Sequence, residues 1–322
     1  MSLNDARAGW WQAAAILVAM LAMPQAHAAD AKPAPEAKKA AAAKQKTYAT
    51  PEEAVKDLVA VVKAHDPKGL VAILGPEGKP IASSGDKVAD REGGENFVKA
   101  YEEANKLEKS GDAKAVLAIG KDNWPFPIPI VKDAAGWRFD AKAGKEELLN
   151  RRVGRNELAV IQVLQAYVDA QREYYLRNPQ RDKLLHYAQK IGSTQGKRDG
   201  LYWPAKAGEK PSPLGPLVAG AKTEGYTKGE GGKPVAYHGY HYRILRGQGS
   251  DARGGAYDYV AQGRMIGGFA MIAWPASYGN SGVMTFIVNH DGVVFEKDLG
   301  PDTAAAVQKI AKFNPDKSWK RP

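Results

Sequence analysis

The chain has no cysteine among its 322 residues. Without cysteine no disulfide can form, no thiolate can bind a metal ion, and no thiol can act as a nucleophile. A lipoprotein anchored through cysteine is not expected, for the same reason. The fold must therefore be stabilised by the packing of its side chains.

Long hydrophobic runs are also scarce. The longest one covers residues 10–23, whereas a membrane-spanning helix needs about twenty apolar residues. Arg7 precedes this run, and the small-residue sequence Ala26-His27-Ala28 follows it. A charged start, a short apolar core and a small-residue cleavage site are typical of a secretory signal peptide. We therefore expect residues 1–28 to be cleaved off near Ala28, export to the periplasm, and no transmembrane span in the mature chain.

Acidic residues are outnumbered by basic ones. The chain carries 46 Lys and Arg against 36 Asp and Glu, a net charge of +10. Export separates the chain from nucleic acid, so we expect no nucleic-acid partner and instead an anionic envelope component or an envelope protein. Part of the excess lies in residues 29–47, whose Ala/Lys/Pro composition is typical of a disordered, solvated linker.

The remaining length is enough for two domains. In residues 48–145, Thr50, Pro51 and Glu53 predict a capped helix start. Helices followed by an antiparallel sheet indicate an α+β fold. The predicted elements are a first helix ending near residues 65–67, a helix around residues 95–107, and strands over residues 116–119, 128–131 and 137–140.

Residues 146–322 predict a long helix packed on an antiparallel sheet. Residues 145–177 are almost free of helix breakers, and residues from Leu158 to Tyr175 recur at helical spacing, which predicts a buried face. Gly154 either kinks this helix or separates two helices. Asn178-Pro179 ends it. The other predicted elements are a short helix over residues 182–191, strands over residues 240–245, 268–274, 283–288 and 293–297, a hairpin turn at residues 289–292, and a closing helix over residues 302–312.

Two fold families are similar to these patterns. The opening Thr-Pro-Glu-Glu-Ala and the late Gly-Trp-Arg-Phe make residues 48–145 resemble the NTF2-like, cystatin-type cone fold, which hosts both enzymes and binding modules. The long helix leading into a small sheet is similar to the globular half of type II pseudopilins. These resemblances imply a fold and no particular activity.

Several phrases resemble an exported bacterial family, domain-of-unknown-function family 2950 (DUF2950). They lie at residues 196–204, 212–216, 237–242 and 263–269. The resemblance covers nearly all of the mature chain. It implies no reaction and no catalytic residue.

A glycine-bounded loop supplies the best candidate for ligand binding. Arginine beside Tyr or Trp suits the recognition of a sugar, a peptide or a carboxylate. The alternative is a structural loop, in which Asp199 pairs with Arg198 or caps the Gly200 turn and Trp203 packs. The predicted ligand-binding residues are Arg198, Asp199, Tyr202, Trp203, Tyr240, His241 and Arg264, with Tyr242 and Tyr278 as possible neighbours.

Other polar motifs indicate no catalytic, metal or cofactor site. His238 and His241 show no third metal ligand at matching spacing. Ser281 lacks the spacing of a nucleophile elbow, and the glycines of residues 263–268 lack the lysine of a phosphate-binding loop. Glu157 is either a buried acid or a carboxylate at a helix N-terminus.

Aromatic residues of the first domain leave two interpretations open. Trp124, Trp137 and Phe139 either line the mouth of the predicted cone or pack in its core.

Three functional hypotheses follow. The leading one is a non-enzymatic binding or interaction module of the envelope. The second is an envelope hydrolase with a cleft around Arg198, Asp199, His241 and Arg264, for which Asp199→Asn would abolish function without changing the melting temperature. The third is an accessory of a secretion or pilus system.

Overall fold

The computed structural model describes residues 45–226 and 235–322. The predicted signal peptide and the predicted linker up to residue 44 lie outside the described residues.

The first helix begins as the sequence predicts. The Thr50 hydroxyl accepts a hydrogen bond from Glu53 N at 3.2 Å, and the Glu53 carboxylate accepts one from Ala49 N at 3.1 Å. Asp66 caps the second helix by accepting from Lys68 N at 3.0 Å. We call residues 45–140 the first half and the described residues from 141 onward the second half. The helices of the first half are α1 (Pro51–Lys63), α2 (Pro67–Leu74), α3 (Lys79–Ala82) and α4 (Lys87–Glu103).

The predicted helix around residues 95–107 is displaced. It starts earlier because Asp86 caps it, accepting from Val88 N and Ala89 N at 3.1 Å each. It ends at Glu103 because Ala104 is extended, and the following residues form a strand. That strand is mostly exposed, so its sequence lacks the alternation of apolar and polar residues that predicts a strand.

Five antiparallel strands form the first sheet, in the order β1-β2-β4-β5 with β3 on β2. They contain most of the three predicted strand segments. α1 and α2 pack against β5, and α4 packs against β1 and β2. The strands are β1 (Asn105–Ser110), β2 (Lys114–Ile119), β3 (Trp124–Pro125), β4 (Ile130–Asp133) and β5 (Gly136–Phe139).

One helix, α5 (Ala141–Arg177), contributes to both hydrophobic cores. Its 37 residues continue through Gly154, so that residue does not divide it into two helices. Asn178 ends it in the left-handed conformation, with φ 44° and ψ 60°. Ala141 belongs to the first core, whereas Val160 and the apolar residues after it belong to the second.

The second sheet confirms the four predicted strands to within two residues. It is antiparallel in the order β13-β12-β11-β6, and α5 packs against β12. At the predicted hairpin, Gly292 N donates to Asn289 O at 2.9 Å. The remaining elements are α6 (Gly215–Thr223), β6 (Tyr240–Leu245), β7 (Gly247–Gln248), β8 (Tyr257–Asp258), β9 (Val260–Ala261), β10 (Arg264–Met265), β11 (Ala270–Pro275), β12 (Met284–Asn289), β13 (Val294–Asp298) and α7 (Thr303–Gln308). The molecule is an α+β protein.

The predicted helix over residues 182–191 was wrong. The buried amide of Gln171 donates to Ala188 O at 2.8 Å and accepts from Ala188 N at 2.9 Å. Tyr187 also bridges to Met265. These contacts hold the segment in a non-helical conformation, because its backbone groups are satisfied from outside rather than within a helix.

The closing helix is shorter than predicted. It ends at Gln308, and the Arg243 guanidinium donates to Val307 O at 2.7 Å and to Ile310 O at 2.8 Å. A basic side chain thus satisfies the carbonyl groups at the helix C-terminus.

Polar contacts join the first half to the second half. Asp86 accepts from Tyr226 Oη and from Gly239 N, each at 2.8 Å. Asn280 donates from its side chain to Ser83 O at 2.8 Å. Within residues 45–226 and 235–322, the structure contains no helix of the length and hydrophobicity that a membrane crossing requires.

Candidate functional site

The first half contains a cavity of about 800 Å³. It lies between α1, α2 and α4 on one side and β3 and the beginning of α5 on the other. Ligand pockets of proteins commonly measure about 300–1,000 Å³. The cavity is therefore large enough for a small-molecule ligand.

The inner wall of the cavity is apolar. Leu58, Leu74, Ile119 and Phe126 line it and are buried. On α1, apolar residues at spacings of three and four place Leu58, Val61 and Val62 on one face of the helix. The same spacing on α4 directs Phe97 and Ala100 into the cavity.

Two adjacent glycines widen the cavity on α4. A Cβ atom on Gly94 would lie 3.2 Å from Val62 Cγ1, so α4 and α1 approach closely there. A Cβ atom on Gly93 would meet nothing within 4 Å. Glycine within a helix costs about 1 kcal/mol relative to alanine. Both glycines line the cavity, and Gly93 leaves part of its space unfilled.

Aromatic rings form one end of the cavity. The Phe126 ring lies 5.4 Å from the Phe97 ring and 6.3 Å from the Trp124 ring. The Arg151 guanidinium lies 4.9 Å from the Trp124 ring. Trp124 thus lines the cavity, whereas Trp137 and Phe139 are buried in the core.

Basic side chains surround the outer part of the cavity. Five of them, against the two carboxylates of Asp66 and Asp90, belong to its wall. All but one are exposed, which places them where the cavity meets solvent. The five are Lys87, Arg91, Arg151, Arg152 and Arg155.

Arg152 is the exception, because its guanidinium is largely buried. It donates to Pro80 O at 2.7 Å, to Ile81 O at 2.8 Å and to Asn280 Oδ1 at 2.6 Å. All three acceptors are uncharged. Burial lowers the pKa of Arg152, and the nearby charge of Asp90 opposes this shift.

Asp90 lies on the same wall and is bound locally. Its two oxygens accept from Ser84 N at 3.1 and 3.0 Å. Burial raises the pKa of this carboxyl group, although the bonds from Ser84 act in the opposite direction. The cavity therefore combines an apolar interior with a net positive outer wall.

A second, polar cavity of about 510 Å³ lies in the second half. Asp199 and Arg264, two of the predicted ligand-binding residues, line it. Arg264 faces Asp182 at 3.7 Å, and Asp182 is 2.7 Å from His186 Nε2. The structure thus brings together two of the seven residues, which lie 65 positions apart in the sequence.

Asp199 organises its own loop. It accepts from Lys190 Nζ at 2.8 Å and from Thr194 N at 2.7 Å. The hydrogen bond from Lys190 lowers the pKa of Asp199, and the bonds from Thr194 add to the shift. Asp199 therefore closes the loop through Lys190 and Thr194 rather than through Arg198.

The other residues of the predicted loop are engaged with neighbouring side chains. Arg198 pairs with Glu209 at 3.1 Å and lies 5.6 Å from the Trp203 ring. Trp203 is buried, and Tyr202 accepts from Lys222 Nζ at 3.1 Å. None of these three lines either cavity.

Tyr240 and His241 lie elsewhere, on β6. Tyr240 is fully buried and donates to Met284 O at 3.0 Å. His241 packs 5.7 Å from the Trp274 ring, and burial lowers its pKa. Neither lines either of the two cavities described above. The neighbours proposed for the cleft also have local partners: Tyr242 Oη donates to Tyr237 O, and Tyr278 Oη to Asp298.

Glu157 is partly buried and does not lie at a helix N-terminus. It lies within α5 and accepts from Val283 N and Met284 N at 2.9 Å each. It therefore fixes the start of β12 to the helix. In the part of the chain that the structure describes, no three His, Asp or Glu side chains form a group suited to a metal ion.

The sequence offered Trp124 for the mouth of a cone, but it did not predict the apolar cavity that this residue lines. The traces of this cavity in the sequence are the Gly93-Gly94 pair and the Arg-Arg-x-x-Arg spacing of Arg151, Arg152 and Arg155, which places Arg152 and Arg155 on one face of a helix. Neither trace shows that a space exists between them.

Comparison with known proteins identifies a family and no activity. Neither a curated protein nor a solved structure matches the chain. The family model DUF2950, described as a protein of unknown function, matches residues 45–321. The match covers most of the sequence and all but the last of the residues described above. The chain therefore belongs to the DUF2950 family.

Proposed function

We propose that this protein is an exported, non-enzymatic binding protein of the periplasm, and that its apolar cavity is the ligand site. The observation that carries the proposal is the cavity of about 800 Å³ between α1, α2, α4 and α5. Apolar side chains dominate its interior, so an apolar part of a ligand would be removed from water there.

Export is part of this proposal. It rests on the charged start, short apolar core and small-residue cleavage site of residues 1–28. The resemblance of residues 48–145 to NTF2-like domains also belongs to it, because helices laid against a sheet are an arrangement that can enclose a cavity.

The test uses the mature protein taken gently from the periplasm of its host. Native mass spectrometry is expected to show a mass excess that denaturation removes. An environment-sensitive apolar dye should bind the ligand-free protein and be displaced by the released ligand. If the protein isolated from its host carries no excess mass and the ligand-free protein does not bind the dye, the proposal is wrong.

A variant locates the binding. Gly93→Leu fills open space in the wall of the cavity. It should weaken dye binding about tenfold or more, since the leucine side chain occupies space that the dye would fill and so reduces the apolar contact between the dye and the wall. Gly220→Leu is the matched control. Gly220 is also helical with no atom within 4 Å of a built Cβ, but it lies on α6 outside the cavity. Equal dye affinity in the two variants would contradict binding in this cavity.

The polar cavity supports a second candidate function, the recognition of a sugar or a peptide carboxylate. Asp199 and Arg264 both line this cavity. Thermal shifts with a panel of disaccharides and dipeptides test it. Arg264→Gln should abolish any shift, whereas Arg253→Gln, an exposed arginine away from this wall, should leave it unchanged. A panel without any shift would exclude this candidate.

A further inference from the structure

We infer that the ligand of the apolar cavity is an anionic amphiphile, whose alkyl tail enters the cavity and whose carboxylate or phosphate head lies against Arg152, Arg155 and Lys87. The inference rests on the proposed function and adds the chemical class of the ligand. It is carried by the placement of charge on the wall.

Two of the five basic residues on this wall already have carboxylate partners. Arg151 Nε lies 2.5 Å from Glu147, and Arg91 Nε lies 3.6 Å from Glu95. Among residues 45–226 and 235–322, no carboxylate lies within 4.0 Å of the charged groups of Lys87, Arg152 or Arg155. These three cations remain for a ligand.

The strongest single observation is the burial of Arg152. Its three neutral acceptors use three of its five N–H donors and do not compensate its charge. A buried charge is costly unless an opposite charge is near. A bound anion would supply that charge and accept charge-assisted hydrogen bonds.

The protein's own carboxylate does not fill this role. Asp90 acts on Arg152 through its charge and not through a hydrogen bond, and both its oxygens face Ser84 N. The hydrogen-bonding capacity of Asp90 is thus directed at Ser84 N and not at the guanidinium. The buried guanidinium therefore favours an anion from outside the chain.

Arg155 extends the site toward solvent. Arg152 and Arg155 are three positions apart on α5 and share one face of the helix. Arg155 is exposed and lines the cavity, as does Lys87 at the start of α4. An anionic head at this point leaves its tail directed at the apolar wall formed by Leu58, Phe97 and Phe126.

The experiment compares ligands that share one tail. Dodecanoate, dodecyl phosphate and dodecanol are titrated calorimetrically into the ligand-free mature protein, below their aggregation thresholds. Dodecanoate or dodecyl phosphate should bind about tenfold or more tightly than dodecanol, since hydrogen bonds to charged groups are lost with the alcohol. Tighter binding of the phosphate points to a lipid headgroup as the source, and tighter binding of the carboxylate to a fatty acid.

Variants assign the head to its residues. Arg155→Gln and Lys87→Gln should each weaken dodecanoate several-fold and leave dodecanol unchanged. Arg152→Gln should have the largest effect, but Arg152 also holds Pro80 and Ile81, so the other two variants keep the inference testable if it fails to fold. Arg253→Gln removes the same charge from an exposed site and should change neither affinity.

The outcomes separate the two proposals. Equal binding of the acid, the phosphate and the alcohol, insensitive to Arg155→Gln and Lys87→Gln, would overturn the inference and leave an apolar binding protein. Failure of all three ligands and of the apolar dye to bind would overturn the proposed function itself.

Discussion

The Asp86 carboxylate accepts a hydrogen bond from Gly239 N at 2.8 Å, across 153 positions of sequence. The same oxygen accepts from Tyr226 Oη at 2.8 Å, while the other oxygen caps α4. One buried side chain therefore starts a helix of the first half and holds the chain just before β6 of the second.

Asp86→Asn should lower the free energy of unfolding by about 1–3 kcal/mol, because an amide nitrogen facing Gly239 N would leave that donor unpaired. Tyr226→Phe should cost about 1–2 kcal/mol, since it removes the bond that the hydroxyl donates to Asp86 and the bond that it accepts from His238 N at 3.3 Å. The carboxylate stays bound to Gly239. Denaturant unfolding measures both values.

Asp122→Asn is the matched control for this pair. Asp122 is exposed, and its substitution should stay within about 0.5 kcal/mol of the parent protein. An Asp86→Asn protein as stable as this control would show that the contact between the halves contributes nothing.

The glycine pair on α4 gives a second prediction. Gly93→Ala should stabilise the protein by about 0.5–1 kcal/mol, because a Cβ atom there meets nothing and alanine is the better helix former. Gly94→Ala should gain less, since its Cβ would lie 3.2 Å from Val62 Cγ1. Thermal unfolding measures the difference.

Gly154→Ala provides the reference value for an open site. Gly154 is exposed within α5, and a Cβ atom there also meets nothing within 4 Å. A larger gain from Gly94→Ala than from the other two would contradict the close approach of α4 and α1.

The lowered pKa of Asp199 leads us to expect that the stability of the protein falls at low pH. Its pKa is lowered in the folded protein, chiefly by the hydrogen bond from Lys190. Its contribution to stability is therefore complete above the unfolded value of about 3.9 and is lost as pH falls toward the lower folded value. Asp199→Asn should destabilise the protein by about 1–2 kcal/mol at neutral pH and flatten this acid limb.

This expectation separates the two interpretations of the loop. A fall in melting temperature supports a structural role for Asp199. Loss of an activity at an unchanged melting temperature would support the hydrolase hypothesis instead. Unfolding curves collected between about pH 2 and pH 7 distinguish them, with the parent protein at each pH as reference.

The raised pKa of Tyr237 leads us to expect that the stability of the protein falls at high pH. Burial, aided by the charge of Glu224, raises its pKa to about 12. Its contribution to stability is complete below the unfolded value of about 10 and is lost as pH rises toward the folded value. Tyr237→Phe should therefore reduce the loss of stability above pH 10. An unchanged alkaline slope would contradict the burial of this hydroxyl group.

Local signals in the sequence predicted many helix and strand boundaries. Thr50 and Glu53 cap α1, Asn178 ends α5, and the turn at residues 289–292 joins β12 to β13, each through contacts between residues close in sequence. Such contacts are visible in a pattern of residue types. They account for most of the α+β architecture.

Contacts between distant residues account for what was missed. The side-chain amide of Gln171 replaces the helical hydrogen bonds expected around Ala188, and no residue type near position 188 indicates this contact. The cavity depends on the space between four helices, and the importance of Arg152 depends on the carbonyl groups of Pro80 and Ile81. A sequence pattern shows residue types and their spacing, but not the volume left between elements.

The continuity of α5 has a consequence for how the chain comes apart. Its first residues pack in one core and its later turns in the other, with no break at Gly154. Unfolding of either core would remove the packing contacts of one part of α5, and this would destabilise the remainder of the same helix. Proteolytic cleavage after residue 145 would divide α5 and leave each fragment with a frayed helix end.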